Sequence, residues 1–141
     1  MRSTRHALGL FLLVLSAAPA GSAAGDTPKA SAEAAARTWL AAADTGSGAE
    51  TWALAARLFQ DRISSEDWQK TLTGVRAPLG AVEKRTLTSA THAGSLPGAP
   101  DGDYEVVRFQ TQFEHKASAV ETVTTVKQPD GSWRVTGYFV N

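Results

Sequence analysis

The chain has 141 residues, with 14 Lys and Arg against 14 Asp and Glu, no Cys, and an apolar share of 43%. This composition is typical of one ordinary globular domain, and it excludes collagenous, strongly disordered and disulfide-stapled proteins. Because the charges balance and no dense basic face is visible, we expect no nucleic acid among the partners.

The first 24 residues have the order of an export signal. Arg2 and Arg5 precede the apolar run 7–15, and small residues then continue to Ala24. We expect cleavage after Ala20 or Ala24, since small side chains precede both bonds. The apolar run is about a dozen residues, whereas a membrane span needs roughly 20, and no cysteine is present to carry a lipid. The sequence therefore predicts a cleaved signal peptide (1–24), no stable membrane anchor afterwards, and a periplasmic or secreted location.

Residues 25–31 are expected to form a flexible leader before the first helix. From Ala32 onward, apolar residues recur at the spacing of one helix face, and the abundant alanine favours the helical state. The helix is predicted to present a slim alanine surface with one large anchor, Trp39. The predicted face comprises Ala32, Ala35, Ala36, Trp39, Leu40 and Ala43.

A second helix is predicted to start almost at once. Gly46 suits the end of the first helix because it tolerates positive φ, and Ser47 with Glu50 matches a capping box. A connection this short makes the two helices either antiparallel neighbours or a sharply bent pair. The apolar stripe of the second helix is expected to run without a break through Trp52, Ala55, Ala56, Phe59 and Ile63.

A third, shorter helix is predicted from a second capping pattern. Ser64 and Asp67 repeat the arrangement, and the helix is expected to end near Gly74. Its apolar positions are Trp68, Leu72 and Val75. Pro78 and Gly80 then prevent its continuation.

Residues 81–141 are rich in Val, Thr, Phe and Tyr and are interrupted by turn residues, which is typical of consecutive strands. In the second strand, apolar residues such as Val107 and Phe109 alternate with polar ones, so one face of the strand is apolar and the other faces solvent. Asp130 and Gly131 predict a tight hairpin, because both can adopt positive φ. The predicted strands are 82–92, 104–115, 119–128 and 132–140, with a longer loop at 96–103.

These elements predict the α+β class for residues 32–141, taken as a single domain. About three N-terminal helices should pack on one face of a four-stranded antiparallel meander.

A set of aromatic residues, glycines, prolines and a few charged residues is spread over most of the chain: Trp39–Leu40, Trp52, Ala55–Ala56, Phe59, Trp68, Arg76, Pro78–Gly80, Arg85, Leu96–Gly98, Pro100–Gly102, Tyr104, Phe109, Thr111, Phe113, Glu121–Thr124, Asp130–Val135 and Gly137–Phe139. In these residues the chain resembles the DUF4019 family of small exported bacterial proteins, which has no assigned activity. The resemblance spans roughly residues 36–140 and implies a domain of unknown function. The order of elements is also similar to the cystatin-like and NTF2-like folds, an architectural likeness that implies no activity.

Several kinds of site have no sequence support. Without cysteine there is no thiol nucleophile, and no Gly-x-Ser-x-Gly elbow occurs. His92 and His115 could meet across adjacent strands, but solvent-facing histidines are the simpler interpretation. Asp103 with Asp101 lacks the further ligands of a calcium loop. We therefore expect no metal and no cofactor.

Acid–base chemistry would need a carboxylate or histidine in an apolar cavity. Glu105, Glu114 and His115 lie on or near the second strand. By strand parity, Glu114 falls on the wet face and His115 on the apolar face. The enzymatic hypothesis therefore uses His115 as base and Tyr138 as hydrogen-bond donor.

Large aromatic side chains are the candidates for a ligand pocket between helices and sheet. A domain of this size also needs them for its core, so core packing is the alternative. The candidate lining residues are Trp52, Phe59, Phe109, Phe113 and Trp133.

Two arginines, Arg76 and Arg134, are expected to be structural, with anion binding as the alternative. Each should satisfy helix-terminal carbonyls or pair with a carboxylate such as Glu121.

The sequence thus favours an exported noncatalytic domain that binds either a small apolar ligand or a protein of the cell envelope. The alternative is a small NTF2-like enzyme that uses a base in its cavity.

Overall fold

The computed structural model describes residues 27–141. The predicted signal peptide (1–24) and the first two residues of the predicted leader lie outside this range. The helices are α1 (Pro28–Asp44), α2 (Gly48–Leu54), α3 (Arg57–Gln60) and α4 (Ser65–Arg76), followed by a 3₁₀ turn (Ala77–Leu79). The strands are β1 (Val82–Ala93), β2 (Tyr104–Phe113), β3 (Lys116–Lys127) and β4 (Trp133–Val140).

The four strands form one antiparallel sheet in the order β1-β2-β3-β4, so each strand pairs with its neighbour in sequence. α1 lies against one face of this sheet, where its alanines and Trp39 pack with Val107, Phe109 and Val123. The predicted α+β class and the meander are therefore confirmed. None of the helices within 27–141 combines the length and the apolar character that a membrane crossing requires.

α1 begins earlier than its apolar pattern indicates. Thr27 accepts a hydrogen bond from the backbone N of Ala30 at 3.1 Å, and Pro28 takes the first helical position. A Thr cap followed by Pro is a favourable helix start. The backbone N–H at the first helical position has no partner within the helix, so a proline, which lacks this N–H, costs nothing there. Residues 28–31 are thus helical and do not belong to a flexible leader.

The predicted second helix is divided in two. Ser47 caps α2 through the N–H of Glu50, as expected, but Ala55 and Ala56 are extended. The backbone N–H of Ala56 donates to the carbonyl of Val135 in β4 at 2.7 Å. This long-range bond joins the helical layer to an edge strand and interrupts the helix, which starts again as α3.

α4 confirms the third predicted helix, with Ser64 as its N-cap. Trp68 and Leu72 are buried as expected, whereas Val75 is 39% exposed and is not part of the apolar face. The helix continues to Arg76, two residues beyond the predicted end.

The hairpin between β3 and β4 forms at the predicted place with a different turn. Gly131 has φ of +87°, while no non-glycine residue of 27–141 has positive φ. The N–H of Gly131 donates to Gln128 O at 2.9 Å, and Gln128 N donates to Ser132 O at 2.7 Å. A three-residue loop of this kind needs a left-handed conformation only at its glycine, so Asp130 keeps an ordinary φ.

Candidate functional site

The helix-facing surface of the sheet carries polar side chains at both ends and apolar ones between them. At one end, His92 of β1 lies opposite Glu105 of β2. At the other end, Phe109 of β2 lies opposite Glu121 of β3. Residue pairs such as Val107 and Val123 fill the middle. Alternation of side chains along a strand places all of these residues on one face.

A pocket of about 540 Å³ opens at the end that holds Glu105, and we call it the Glu105 pocket. Its walls come from the first turn of α1 and from residues at the adjoining ends of all four strands. It is lined by Thr27, Pro28, Lys29, His92, Asp103, Glu105, Lys127 and Trp133.

Glu105 has only 2% of its side chain exposed. Its Oε1 lies 3.3 Å from His92 Nδ1. Its Oε2 is buried and has no hydrogen-bond partner among the described residues. Buried carboxylate oxygens nearly always have a donor, because an unmatched one loses the hydrogen bonds that water would supply. Glu105 is therefore incompletely satisfied by its own chain.

The charged groups around Glu105 are more exposed. His92 is about half exposed, and its Nε2 lies 3.9 Å from the carboxylate of Asp103. Lys29 and Lys127 also line the pocket. Neither lysine forms an ion pair with any residue of 27–141.

Glu121, at the other end of the sheet, is 0% exposed and is fully bonded. Its Oε1 accepts from Arg85 Nε at 2.7 Å and from Thr111 Oγ1 at 2.6 Å. Its Oε2 accepts from the Tyr138 hydroxyl at 2.5 Å. Arg85 also donates to both carboxylate oxygens of Asp44 at the end of α1. This group, which we call the Glu121 cluster, connects α1 with all four strands.

The pKa values in the Glu121 cluster follow from burial and pairing. Burial, with help from Glu121, raises the pKa of the Tyr138 hydroxyl well above its ordinary value of 10.0. Burial would also raise the pKa of Asp44, but its hydrogen bonds to Arg85 and Arg76 outweigh burial and lower it. Near neutral pH, Tyr138 therefore stays protonated and acts as a donor while Asp44 stays ionised.

Arg76 is structural, as expected, although its partner differs from the one suggested. It is 8% exposed, and its Nη2 donates to Asp44 Oδ1 at 2.7 Å. Its guanidinium lies over the Phe113 ring at 5.1 Å from the centroid, a cation–π contact. Glu121 bonds Arg85 instead of Arg76 or Arg134.

The enzymatic hypothesis built on His115 and Tyr138 loses its basis. His115 follows the end of β2, in the turn before β3, with 59% of its side chain exposed and its Nε2 2.9 Å from Glu114. Tyr138 is paired in register with Val123, seven residues along β3 from that turn. His115 does not lie on the apolar face that strand parity predicts, because strand alternation stops where the turn begins.

The aromatic candidates for a ligand pocket are mostly core residues. Phe109 and Phe113 are fully buried, and Phe59 packs edge-on against Trp68. Trp52 is half-buried, and its indole N–H donates to a backbone carbonyl at 2.8 Å. Trp133 lines the Glu105 pocket and a second pocket of about 310 Å³ beside α1.

The histidines considered for a metal site are not brought together. His92 lies beside Glu105, whereas His115 lies in the turn between β2 and β3. Within residues 27–141 no three His, Asp or Glu side chains are placed so that they could hold a metal ion.

Sequence reasoning named both buried carboxylates without selecting either as a site: it passed over Glu105 in favour of His115, and it treated Glu121 only as a partner for an arginine. The available signal was parity, since Glu105 falls in the same alternating set as Val107 and Phe109. Glu121 likewise falls in step with Val123. A charged residue in an apolar set indicates either a buried pair or a binding site.

Comparison with known proteins identifies a family and a fold. The family described as "Protein of unknown function (DUF4019)" matches residues 35–138. A solved structure of a "putative ketosteroid isomerase" from Shewanella frigidimarina NCIMB 400 is similar, with a TM-score of 0.51 and 19% sequence identity. The match covers 84% of this chain and 98% of that one. At this identity the likeness shows an NTF2-like fold alone. No curated protein matches the chain.

Proposed function

The chain belongs to the DUF4019 family of proteins of unknown function, and from this premise we propose that it is an exported, noncatalytic domain that binds a small molecule in the Glu105 pocket. The observation that carries the proposal is the buried Oε2 of Glu105, which has no donor among the described residues. A ligand that brings a hydrogen-bond donor would supply the missing contact.

The remainder of the pocket supports a ligand with an apolar part. Trp133 and Pro28 contribute ring surfaces next to the polar groups. A volume of about 540 Å³ lies within the range of typical small-molecule sites, roughly 300–1,000 Å³. Mostly apolar walls with a few placed polar groups are usual for such sites, because the polar groups orient the ligand.

Native mass spectrometry of the full-length protein, purified from its own cells, tests the binding proposal. We expect a fraction of the protein to carry a small molecule, and we expect Trp133→Ala to lose it. Phe139→Ala is the matched control, because Phe139 is 59% exposed and lies outside the pocket. Unliganded protein from every preparation would contradict the proposal, as would equal loss in both variants.

Export is proposed from the basic, apolar and small-residue order of residues 1–24. N-terminal sequencing of the periplasmic and culture fractions checks it. We expect the mature chain to begin at Gly21 or Gly25, as cleavage after Ala20 or Ala24 requires. A cytoplasmic product that retains residues 1–24 would argue against export.

The second candidate is an enzyme that moves a proton, with Glu105 as the base. It is favoured by the contact between Glu105 and His92, since a buried carboxylate beside an imidazole suits acid–base catalysis. Glu105 would take a proton from the carbon between a carbonyl and a double bond and return it to the far carbon, so no co-reactant is needed.

A β,γ-unsaturated 3-ketosteroid, chosen because the structural neighbour is described as an isomerase of ketosteroids, tests this candidate through the absorbance of the conjugated product. Turnover by the wild-type protein should fall by 100-fold or more in Glu105→Gln, a loss in the range usual for general bases. His115→Gln serves as the control. Absence of turnover in the wild-type protein leaves the binding function as the better account.

A further inference from the structure

We infer that the ligand of the Glu105 pocket is a small zwitterion of the α-amino acid type, whose ammonium group bonds Glu105 and whose carboxylate faces Lys29 and Lys127. This inference rests on the proposed binding function and deepens it by naming a ligand class.

Glu105 requires a hydrogen-bond donor that also carries a positive charge. His92 Nδ1 is nearest to Oε1, so Oε2 is the oxygen that lacks a partner. A buried carboxylate is compensated best by a cation that also donates hydrogen bonds. The lysines in the pocket wall make no ion pair with it. An ammonium group on the ligand has both the charge and the donors.

The lysines among the lining residues indicate a second charged group on the ligand. Lys29 and Lys127 are two cations without carboxylate partners in the described part of the chain. The first turn of α1, with Thr27 and Pro28 in the lining, adds the partial positive charge of a helix N-terminus. An amine alone would leave these cations without a partner, whereas a ligand carboxylate pairs with them.

The apolar part of the pocket wall indicates what kind of side chain the ligand carries. Trp133 offers a half-buried indole in the same pocket. Aromatic rings pack favourably on other aromatic or aliphatic groups. An apolar or aromatic amino acid therefore matches all three parts of the wall.

Isothermal titration calorimetry with three related probes tests the inference on the full domain. L-phenylalanine carries both charges, 2-phenylethylamine lacks the carboxylate, and N-acetyl-L-phenylalanine lacks the ammonium charge. We expect L-phenylalanine to bind at least tenfold more tightly than either derivative. L-leucine serves as an aliphatic probe of the same class.

Two charge variants assign each half of the ligand. Glu105→Gln keeps the shape of the side chain and should weaken L-phenylalanine and 2-phenylethylamine roughly tenfold to a hundredfold. Lys127→Gln should weaken L-phenylalanine roughly two- to fivefold and leave 2-phenylethylamine unchanged. Glu114→Gln and Lys84→Gln are the matched controls, because both residues are exposed and neither lines the pocket. Circular dichroism checks that each variant is folded.

Equal affinity for L-phenylalanine and either derivative would overturn the inference, and so would failure of both amino acids to bind. Native mass spectrometry separates that failure from failure of the binding function. A co-purified ligand that is not zwitterionic would refute the amino acid class while leaving small-molecule binding in place. Protein that carries nothing and binds none of the probes would refute both.

Discussion

Glu105 and Glu121 are both buried on the same face of the sheet, yet their surroundings differ. Glu121 accepts three hydrogen bonds from Arg85, Thr111 and Tyr138. In Glu105, Oε1 is within hydrogen-bond distance of His92 Nδ1, and Oε2 has no hydrogen-bond partner among the described residues. A carboxylate saturated by its own chain contributes to structure, whereas an unsaturated one beside a pocket is available to a ligand.

At the residue scale, Glu121→Ala should be strongly destabilising. It removes the acceptor of Arg85 and Tyr138 and leaves a buried guanidinium without its closest counter-charge. Loss of one member of a buried ion pair typically costs about 3–5 kcal/mol. Urea unfolding measures the change in the free energy of unfolding. Exposed Glu114→Ala is the control and should change that free energy little, so similar losses in the two variants would contradict the structural role.

Tyr138 gives a prediction for alkaline pH. Because its folded pKa is raised above 10.0, the unfolded chain releases this proton first as the pH rises. The stabilisation is complete below pH 10.0 and is lost above it by about 1.4 kcal/mol per pH unit. Tyr138→Phe should therefore show a flatter fall in melting temperature above that pH, measured by calorimetry. Parallel curves of melting temperature against pH for the wild-type protein and the variant would contradict a raised pKa of Tyr138.

At the element scale, the alanine face of α1 and the capping residues were predictable because they depend on local sequence. The division between α2 and α3 was not, since its cause is a hydrogen bond from Ala56 to Val135 in β4. Nothing in the sequence near Ala56 indicates a hydrogen-bond partner so far along the chain. The early start of α1 did have a local signal, the Thr27 cap followed by Pro28.

Two glycines in helices should respond in opposite ways to substitution by alanine. A Cβ on Gly48 would lie 2.5 Å from the Cα of Gln69 in α4, whereas one on Gly74 would meet nothing within 4 Å. Gly48→Ala should lower the free energy of unfolding by about 1–3 kcal/mol through overpacking. Gly74→Ala should raise it by about 0.5–1 kcal/mol through helix propensity. Thermal and urea denaturation of both variants provide the measurement, and equal effects would show that α2 and α4 are not closely packed.

At the scale of the whole molecule, the meander and its inner and outer faces followed from alternation along the strands. The meeting of charged groups did not, because Asp44 reaches Arg85 across 41 residues and Arg85 reaches Glu121 across 36. The Glu105 pocket was also missed, since its walls join the start of α1 to strand ends that are remote in sequence. Such contacts depend on tertiary packing, which a single sequence does not specify locally.

The two buried carboxylates should behave independently. Thr125, the register partner of Glu105, is four residues from Glu121 along β3, a separation of about 13 Å at roughly 3.3 Å per residue. The stability changes of Glu105→Gln and Glu121→Gln should therefore add within about 0.5 kcal/mol in the double variant. A larger coupling energy in denaturant unfolding would mean that the two ends of the sheet communicate.

The order of the strands has a consequence for the order in which the parts of the domain can assemble. Each strand pairs with the one made just before it, but α1, near the start of the described chain, packs against β4 at its end. The hairpins can thus form one after another, while the alanine face of α1 can complete its packing only when β4 is in place. The last strand therefore completes the core, so the first helix and the last strand of the described chain fold as parts of one unit.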